Sequence, residues 1–200
     1  MSDHQLDLFL IYLEELWSWN KKFNLTGLED RGRMVVELFL DSLLPSPFVP
    51  EEGDLLDVGS GAGFPGLPLK IHRPLRNTFL LEPNTKKVSF LRHVIRLTRL
   101  TGVQTVKGRV EHLPKEVRYD MVTARALGEL RNTLDRCAPL VKQGGHLVLY
   151  LGAKAEEQLK ERELSVADHR LRVAKRLSYT LPGKRSERHT VIFQKEREWV

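Results

Sequence analysis

The run Asp57-Val58-Gly59-Ser60-Gly61-Ala62-Gly63-Phe64-Pro65-Gly66 is where residue types and spacing come closest to chemistry. A short apolar segment, residues 54–58, leads into it and reads as a buried strand, so the glycines fall on the turn that follows. Glycine allows a sharp turn and lets a ligand lie against bare backbone. A short helix to about residue 71 then offers amide N–H groups to polar or anionic ligand atoms. Glu82 closes a second predicted strand, residues 78–81, where a carboxylate can accept from both hydroxyls of a ribose. These residues together predict a site for an adenosine-containing cofactor.

Two cofactor classes compete for that site. Gly61-x-Gly63-x-x-Gly66, with Glu82 about 20 residues on, satisfies the dinucleotide fingerprint. Asp57, Gly59, Gly61 and Gly63 instead form a D-x-G-x-G-x-G run, which resembles the first motif of class I S-adenosylmethionine (AdoMet) methyltransferases. An acid at the strand end suits a ligand that bears an ammonium group and sits poorly beside a pyrophosphate. Pro65 and Pro68 also predict a short, irregular helix, a weak dipole for phosphate. These points favour AdoMet.

The elements that must position these residues alternate in type. Residues 3–20 read as an amphipathic helix through Leu6, Phe9, Leu10, Leu13, Leu16 and Trp17, and a second helix spans about 29–43. Pro45, Pro47 and Pro50 end it and separate an N-terminal helical extension, 1–50, from a unit over 51–200. Further strands are expected at 103–107, 119–124 and 146–151, the last after a Gly144-Gly145 turn. Helices are expected at 85–100, 127–140 and 154–164. Residues 171–181 and 190–194 form a hairpin through Pro182-Gly183. The α/β alternation implies a mostly parallel sheet with helices on both faces and one antiparallel strand.

Charge is unevenly distributed. Residues 1–83 carry net −6, 84–118 net +7 and 119–200 net +5, which favours a polyanionic partner. On the helix at 85–100, Arg92, Arg96 and Arg99 fall on one stripe opposite Val88, Leu91, Val94, Ile95 and Leu97, a pattern able to track RNA phosphates. No apolar run approaches the roughly 20 residues of a membrane span. The first residues carry acids where a signal peptide carries Lys or Arg, so a cytoplasmic protein is expected. Cys137, the single cysteine, reads as core, and the seven histidines lack metal-ligand spacing.

A longer resemblance then covers nearly the whole chain. Trp19-Asn20-Lys21-Lys22-Phe23-Asn24-Leu25-Thr26 resembles a W-N-K-x-x-N-L-T segment. Leu40-Asp41-Ser42, the glycine run through Pro68, Lys86-Lys87-Val88, Gly108-Arg109-Val110-Glu111, Thr123-Ala124-Arg125-Ala126 and Arg188-His189 follow in family order. They resemble the bacterial small-subunit (16S) ribosomal RNA guanine-N7 methyltransferases, also called glucose-inhibited division protein B. The resemblance implies a seven-stranded class I fold and AdoMet contacts at Gly59, Phe64, Val110, Glu111 and Arg125, beside Gly61, Gly63 and Glu82 expected from the glycine run and the strand end. It implies 16S ribosomal RNA, or a precursor of the small subunit, as partner of a monomeric enzyme. Arg125, Asn24 and Asp41 are expected to place the acceptor guanine. The chain departs from the family at Leu38, where a histidine is usual three residues before the Asp. The rival readings are a dinucleotide oxidoreductase and a non-catalytic RNA-binding factor.

Overall fold

In the computed structural model, which describes residues 1–73, 77–125, 128–153, 157 and 163–197, seven strands form one sheet. They are β1 (Leu55–Val58), β2 (Thr78–Glu82), β3 (Val103–Lys107), β4 (Tyr119–Arg125), β5 (Val141–Leu151), β6 (Leu171–Thr180) and β7 (Glu187–Lys195), in the order β3-β2-β1-β4-β5-β7-β6. The first five run parallel, and β7 is antiparallel to both β5 and β6. All four residues of β1 are buried, as a strand covered on both faces requires. Leu56 and Val58 point into one core with Val122, Leu134 and Cys137, whereas Leu55 joins Leu69, Met121 and Tyr150 on the other side. The chain runs from β1 outward to β3, then returns to place β4 beside β1. The loops after β1 and β4 therefore diverge and leave a crevice at the carboxyl ends of the strands, where open α/β sheets bind ligands.

Helix α1 (Asp3–Phe23) starts from a capping box between Ser2 and Gln5, and Gln5 also donates to the Ile71 and His72 carbonyls. Its buried line is Leu8, Tyr12, Leu16 and Asn20. The expected apolar face is thus displaced, for Leu6 and Leu10 are 47% and 60% exposed. Apolar residues occupy more than one face of this helix, and the packing partners Phe39, Phe64 and Phe90 select which one is covered. Helix α2 (Arg31–Met34) passes through a π-helical stretch, Val35–Leu40, into α3 (Asp41–Leu43).

The remaining helices are α4 (Gly66–His72), α5 (Thr85–Thr98), α6 (Leu130–Cys137) and α7 (Glu163–Asp168). Helix α5 ends two residues before its expected end because Arg99 adopts a left-handed cap, φ 49°. Leu97, expected on its apolar face, is exposed. Gly144-Gly145 lies inside β5, not before it: pairing jumps from Tyr119–Val141 to Met121–His146, and the intervening residues bulge. Most of the helix expected at 154–164, and the start of the one expected at 127, lie outside the described residues. Cys137 is buried in the core as expected, and burial pushes its thiol up to about 12. No helix among the described residues is long and apolar enough to cross a membrane.

Candidate active site

The glycine run leaves β1 with its amides already spoken for. Gly59 and Ser60 donate to the Leu81 carbonyl, Gly63 and Phe64 to the Ser60 carbonyl, and Gly66 to Asp57 Oδ2. Asp57 is fully buried, and its Oδ1 accepts from the Thr123 hydroxyl of β4 at 2.8 Å. This corrects two expectations. The carboxylate is a pin joining β1, β4 and the start of α4, out of reach of any ligand's ammonium. It also occupies the helix N-terminus that a pyrophosphate would need.

Burial pushes the Asp57 carboxyl up to about 6 from 3.8. The folded protein then holds this proton more tightly than the unfolded chain does. The contribution of Asp57 to stability accordingly falls as pH rises from about 4 to about 6 and is level above that. Relative to wild type, Asp57→Asn should gain about 2–3 kcal/mol between pH 4 and pH 6.5, read from urea midpoints at the two pH values. A constant difference between the two proteins would refute the assignment.

Three glycines of the run have positive φ, Gly59 at 69°, Gly61 at 59° and Gly63 at 102°. Gly63 faces inward, onto Tyr12 and Leu67, whereas a Cβ on Gly61 would meet nothing nearer than the Gly59 carbonyl at 3.9 Å. Behind the loop Tyr12 donates its hydroxyl to the Ala62 carbonyl and stacks on Phe64 at 5.2 Å between centroids. Phe64 is buried there, so any contact it makes with a cofactor is through its backbone. Tyr12 was not singled out from the sequence. Its position four residues after Leu8 and four before Leu16 is the only trace it leaves.

Glu82, at the end of β2, is buried and braces the loop: Oε2 accepts from Gly61 N and Oε1 from Asn84 N, each at 2.8 Å. A carboxylate oxygen has a second lone pair, so both remain able to accept from a ligand hydroxyl. Beside it lies a cleft of about 200 Å³ lined by Val58, Gly59, Leu81, Gly108, Val110 and Glu111. The structure thus gathers Gly59, Val110 and Glu111 at one cleft and ties Gly61 to it through Glu82. Glu111 also forms an exposed ion pair with Arg136 at 3.1 Å.

A second pocket opens at the ends of β4 and β5, lined by Asp41, Arg125, Tyr150, Tyr179 and Arg188. Asp41 is almost wholly buried and accepts from Arg125 at 2.9 Å, Arg188 at 3.0 Å and the Tyr179 hydroxyl at 2.9 Å. The π-helical stretch makes this possible. The Asp41 amide donates to Val36 and Leu38, and the Glu37 carbonyl accepts from the Arg125 guanidinium. Glu37 itself binds Arg33, Lys184 and Arg188; burial raises its carboxyl, but the bonds and charges of Lys184 and Arg33 outweigh this and hold it below the usual range. Burial and the neighbouring Asp41 push the Tyr179 and Tyr150 phenols upward, so both stay protonated and donate. Arg125 Nη1 is buried with no hydrogen-bond partner among the described residues. Sequence reasoning missed Glu37, Tyr179 and Lys184, although Arg33, Glu37 and Asp41 recur every four residues, the spacing that aligns side chains on one helical face.

Asn24, expected to work with Arg125 and Asp41, stands elsewhere. It is the exposed left-handed cap of α1 and lines a groove between the end of α1 and the start of α5. Leu38 packs partly buried in the N-terminal core, and its carbonyl accepts from the Ser42 hydroxyl. On α5, Arg92 and Arg96 are exposed; Arg92 donates to the Thr105 hydroxyl, and Arg99 has left the helix.

A family model described as rRNA small subunit methyltransferase G matches residues 5–190. The chain belongs to that family. Among members of the rRNA small subunit methyltransferase G family, the protein of that name from Chloroflexus aggregans is 42% identical over 80% of this chain and 69% of its own length. The one from Neisseria meningitidis is 37% identical over 98% of this chain and 91% of its own, and that from Lachnoclostridium phytofermentans 33% over 99% and 84%. Solved structures at lower identity share the fold. M. jannaschii TYW2 in complex with AdoMet superposes with a TM-score of 0.60 at 14% identity, over 78% of this chain and 73% of that one. The ribosomal protein L11 methylase of Lactobacillus delbrueckii gives 0.65 at 11% identity, over 86% and 81%. The fold is the class I methyltransferase fold that the family resemblance implies, with the mostly parallel sheet expected from the strand–helix alternation.

Proposed function

We propose that this member of the rRNA small subunit methyltransferase G family transfers a methyl group from AdoMet to N7 of a guanine in 16S ribosomal RNA. The observation that carries the choice of cofactor is the pair of buried acids behind the glycine run. Asp57 fills the helix N-terminus, and Glu82 holds an acceptor-only carboxylate beside the cleft. The remaining lone pairs of Glu82 suit ribose hydroxyls, and a helix N-terminus already filled by Asp57 disfavours a pyrophosphate, which sets aside the dinucleotide oxidoreductase. Gly59, Gly61, Glu82, Val110 and Glu111 would hold the cofactor, with Gly63 and Phe64 shaping the loop and Arg125 at its acceptor side. Bound there, AdoMet supplies an electrophilic sulfonium methyl.

N7 of guanine has an in-plane lone pair and no proton, so no side chain has to act as a base. The second pocket suits this chemistry: its phenols are held protonated, and Asp41 is engaged by two guanidinium groups. The task left to the protein is orientation, in which Arg125 Nη1 is the free donor and Asp41 the group that sets its angle. Asn24, remote from this pair, is read as contacting RNA outside the pocket. Residues 1–50 serve as an extension of the catalytic unit, and the enzyme acts as a cytoplasmic monomer.

Tritium transfer from labelled AdoMet into small-subunit RNA tests the reading, with mass-spectrometric mapping of the product. The single-turnover rate at saturating RNA should stay level between about pH 7 and pH 8.5. A tenfold rise per pH unit, with binding constant, would mean that a base is at work and that N7 is the wrong atom. Glu82→Ala strands the Gly61 and Asn84 amides as well as removing the ribose acceptor. It should weaken AdoMet binding by about 1–3 kcal/mol in calorimetry. Wild-type affinity would remove Glu82 from the site.

A further inference from the structure

The W-N-K-x-x-N-L-T segment is not used by either pocket. Its buried members are architectural. Trp19 packs on Phe90 and His93 at 5.6 and 5.2 Å between centroids. Asn20 donates to the Leu28 carbonyl and accepts from the Thr26 amide, both at 2.7 Å, which folds the chain back after α1. That folding leaves Lys21, Lys22, Phe23 and Asn24 projecting from the last turn and cap of α1 into a groove closed on its far side by Lys86 of α5.

Three features of this groove point to one kind of occupant. Phe23 is 41% exposed and packs against Trp19 with the rings tilted and 5.4 Å between centroids, so the protein presents an aromatic surface that its own core leaves partly uncovered. Lys86 Nζ stands 5.8 Å from the Phe23 ring, and Lys21 Nζ 4.6 Å from the Trp17 ring. None of the three lysines has a carboxylate partner among the described residues, whereas Arg31 and Arg33 nearby are paired with Glu14 and Glu37. Glu29 is the single acid in the lining. Three lysines without a carboxylate partner meet beside an exposed ring, and two of them, Lys21 and Lys22, lie in the stretch of net −6, against the local composition.

The groove also lies next to the cofactor cleft. Lys86 follows Asn84, whose amide is held by Glu82, and Glu82 braces the glycine loop. Arg99, by contrast, lies 13 residues further along, about 20 Å away at the other end of α5, near the start of β3. We propose that this groove, more than the Arg92–Arg96–Arg99 stripe, binds a single-stranded segment of RNA next to the methylated nucleotide. One base stacks on Phe23 while Lys21, Lys22 and Lys86 meet the phosphates. The assignment rests on the RNA-methylating reading above and adds to it the surface and the strandedness of the partner.

The test is a fluorescence-anisotropy titration of the full-length protein with a labelled single-stranded oligouridylate decamer, across a salt series. Changing Lys21, Lys22 and Lys86 together to Gln should weaken decamer binding about tenfold or more and reduce the slope of log K against log salt by about 2. Phe23→Leu should weaken binding several-fold with the slope unchanged, which separates stacking from charge. All four side chains are on the surface, and unchanged AdoMet affinity of each variant certifies the fold. Wild-type decamer binding by the triple variant would overturn the proposal. So would a defect seen only with assembled subunits, which would make an acidic protein the partner. If the wild type binds the decamer through this groove yet transfers no methyl to small-subunit RNA, the groove stands and the enzymatic reading falls.

Discussion

Replacing Gly63 with alanine is expected to destabilise the protein by about 3–5 kcal/mol and to abolish AdoMet binding. The backbone there has φ 102°, a conformation that costs any residue with a Cβ on the order of 1–2 kcal/mol. The added methyl would also lie 2.5 Å from the Tyr12 hydroxyl oxygen, 2.7 Å from Leu67 and 3.0 Å from Leu91. All three side chains are buried, so none can swing into solvent. Moving the Tyr12 phenol would break its bond to the Ala62 carbonyl inside the glycine loop, which is how a packing defect reaches the cofactor site. Tyr12→Phe removes the nearest offending atom. In the Gly63→Ala background it should therefore recover about 1–2 kcal/mol, although alone it is destabilising. Denaturant unfolding of the two single variants and the double variant measures this directly. Strict additivity would place the strain elsewhere.

Asp41→Asn should be nearly as damaging, at about 2–4 kcal/mol, because it removes the negative charge shared by Arg125 and Arg188. The Asp41 side chain is 1% exposed and that of Arg125 only 16%, so water cannot replace the lost partner. An amide also presents Nδ2–H where one of the donors now points. The Tyr179 hydroxyl or a guanidinium must then turn away. Since Asp41 sets the angle of Arg125, methyl transfer at saturating substrates should fall at least about tenfold, while AdoMet affinity changes less. Urea unfolding and single-turnover transfer report the two effects separately. A variant with wild-type stability and rate would reduce the network to a surface decoration.

The same residues show how far the sequence could be read. The glycine run, its leading strand and Glu82 were legible because a tight turn after a buried strand needs specific residue types at adjacent positions. The hairpin of β6 and β7 was legible for a similar local reason, Pro182-Gly183 between two strand-like runs. Which residues of α1 are buried was not. Leu6 and Leu10 look as apolar as Leu8, and only the aromatic surface they meet, Phe39, Phe64 and Phe90, decides between them. The role of Asp57 was misread for a related reason, because its neighbour Thr123 is 66 residues distant and appears only when β4 pairs with β1.

Family and fold class were thus set by the sequence, through motifs in which each residue answers a local backbone demand. Tertiary structure alone decided that Asp41, Arg125, Tyr179 and Arg188, drawn from positions 41 to 188, meet at one buried carboxylate, and that Asn24 does not join them. The reason is physical. A carboxylate leaves water only where several donors converge on it, and that convergence is a property of the sheet order and the π-helical stretch, not of any segment taken singly.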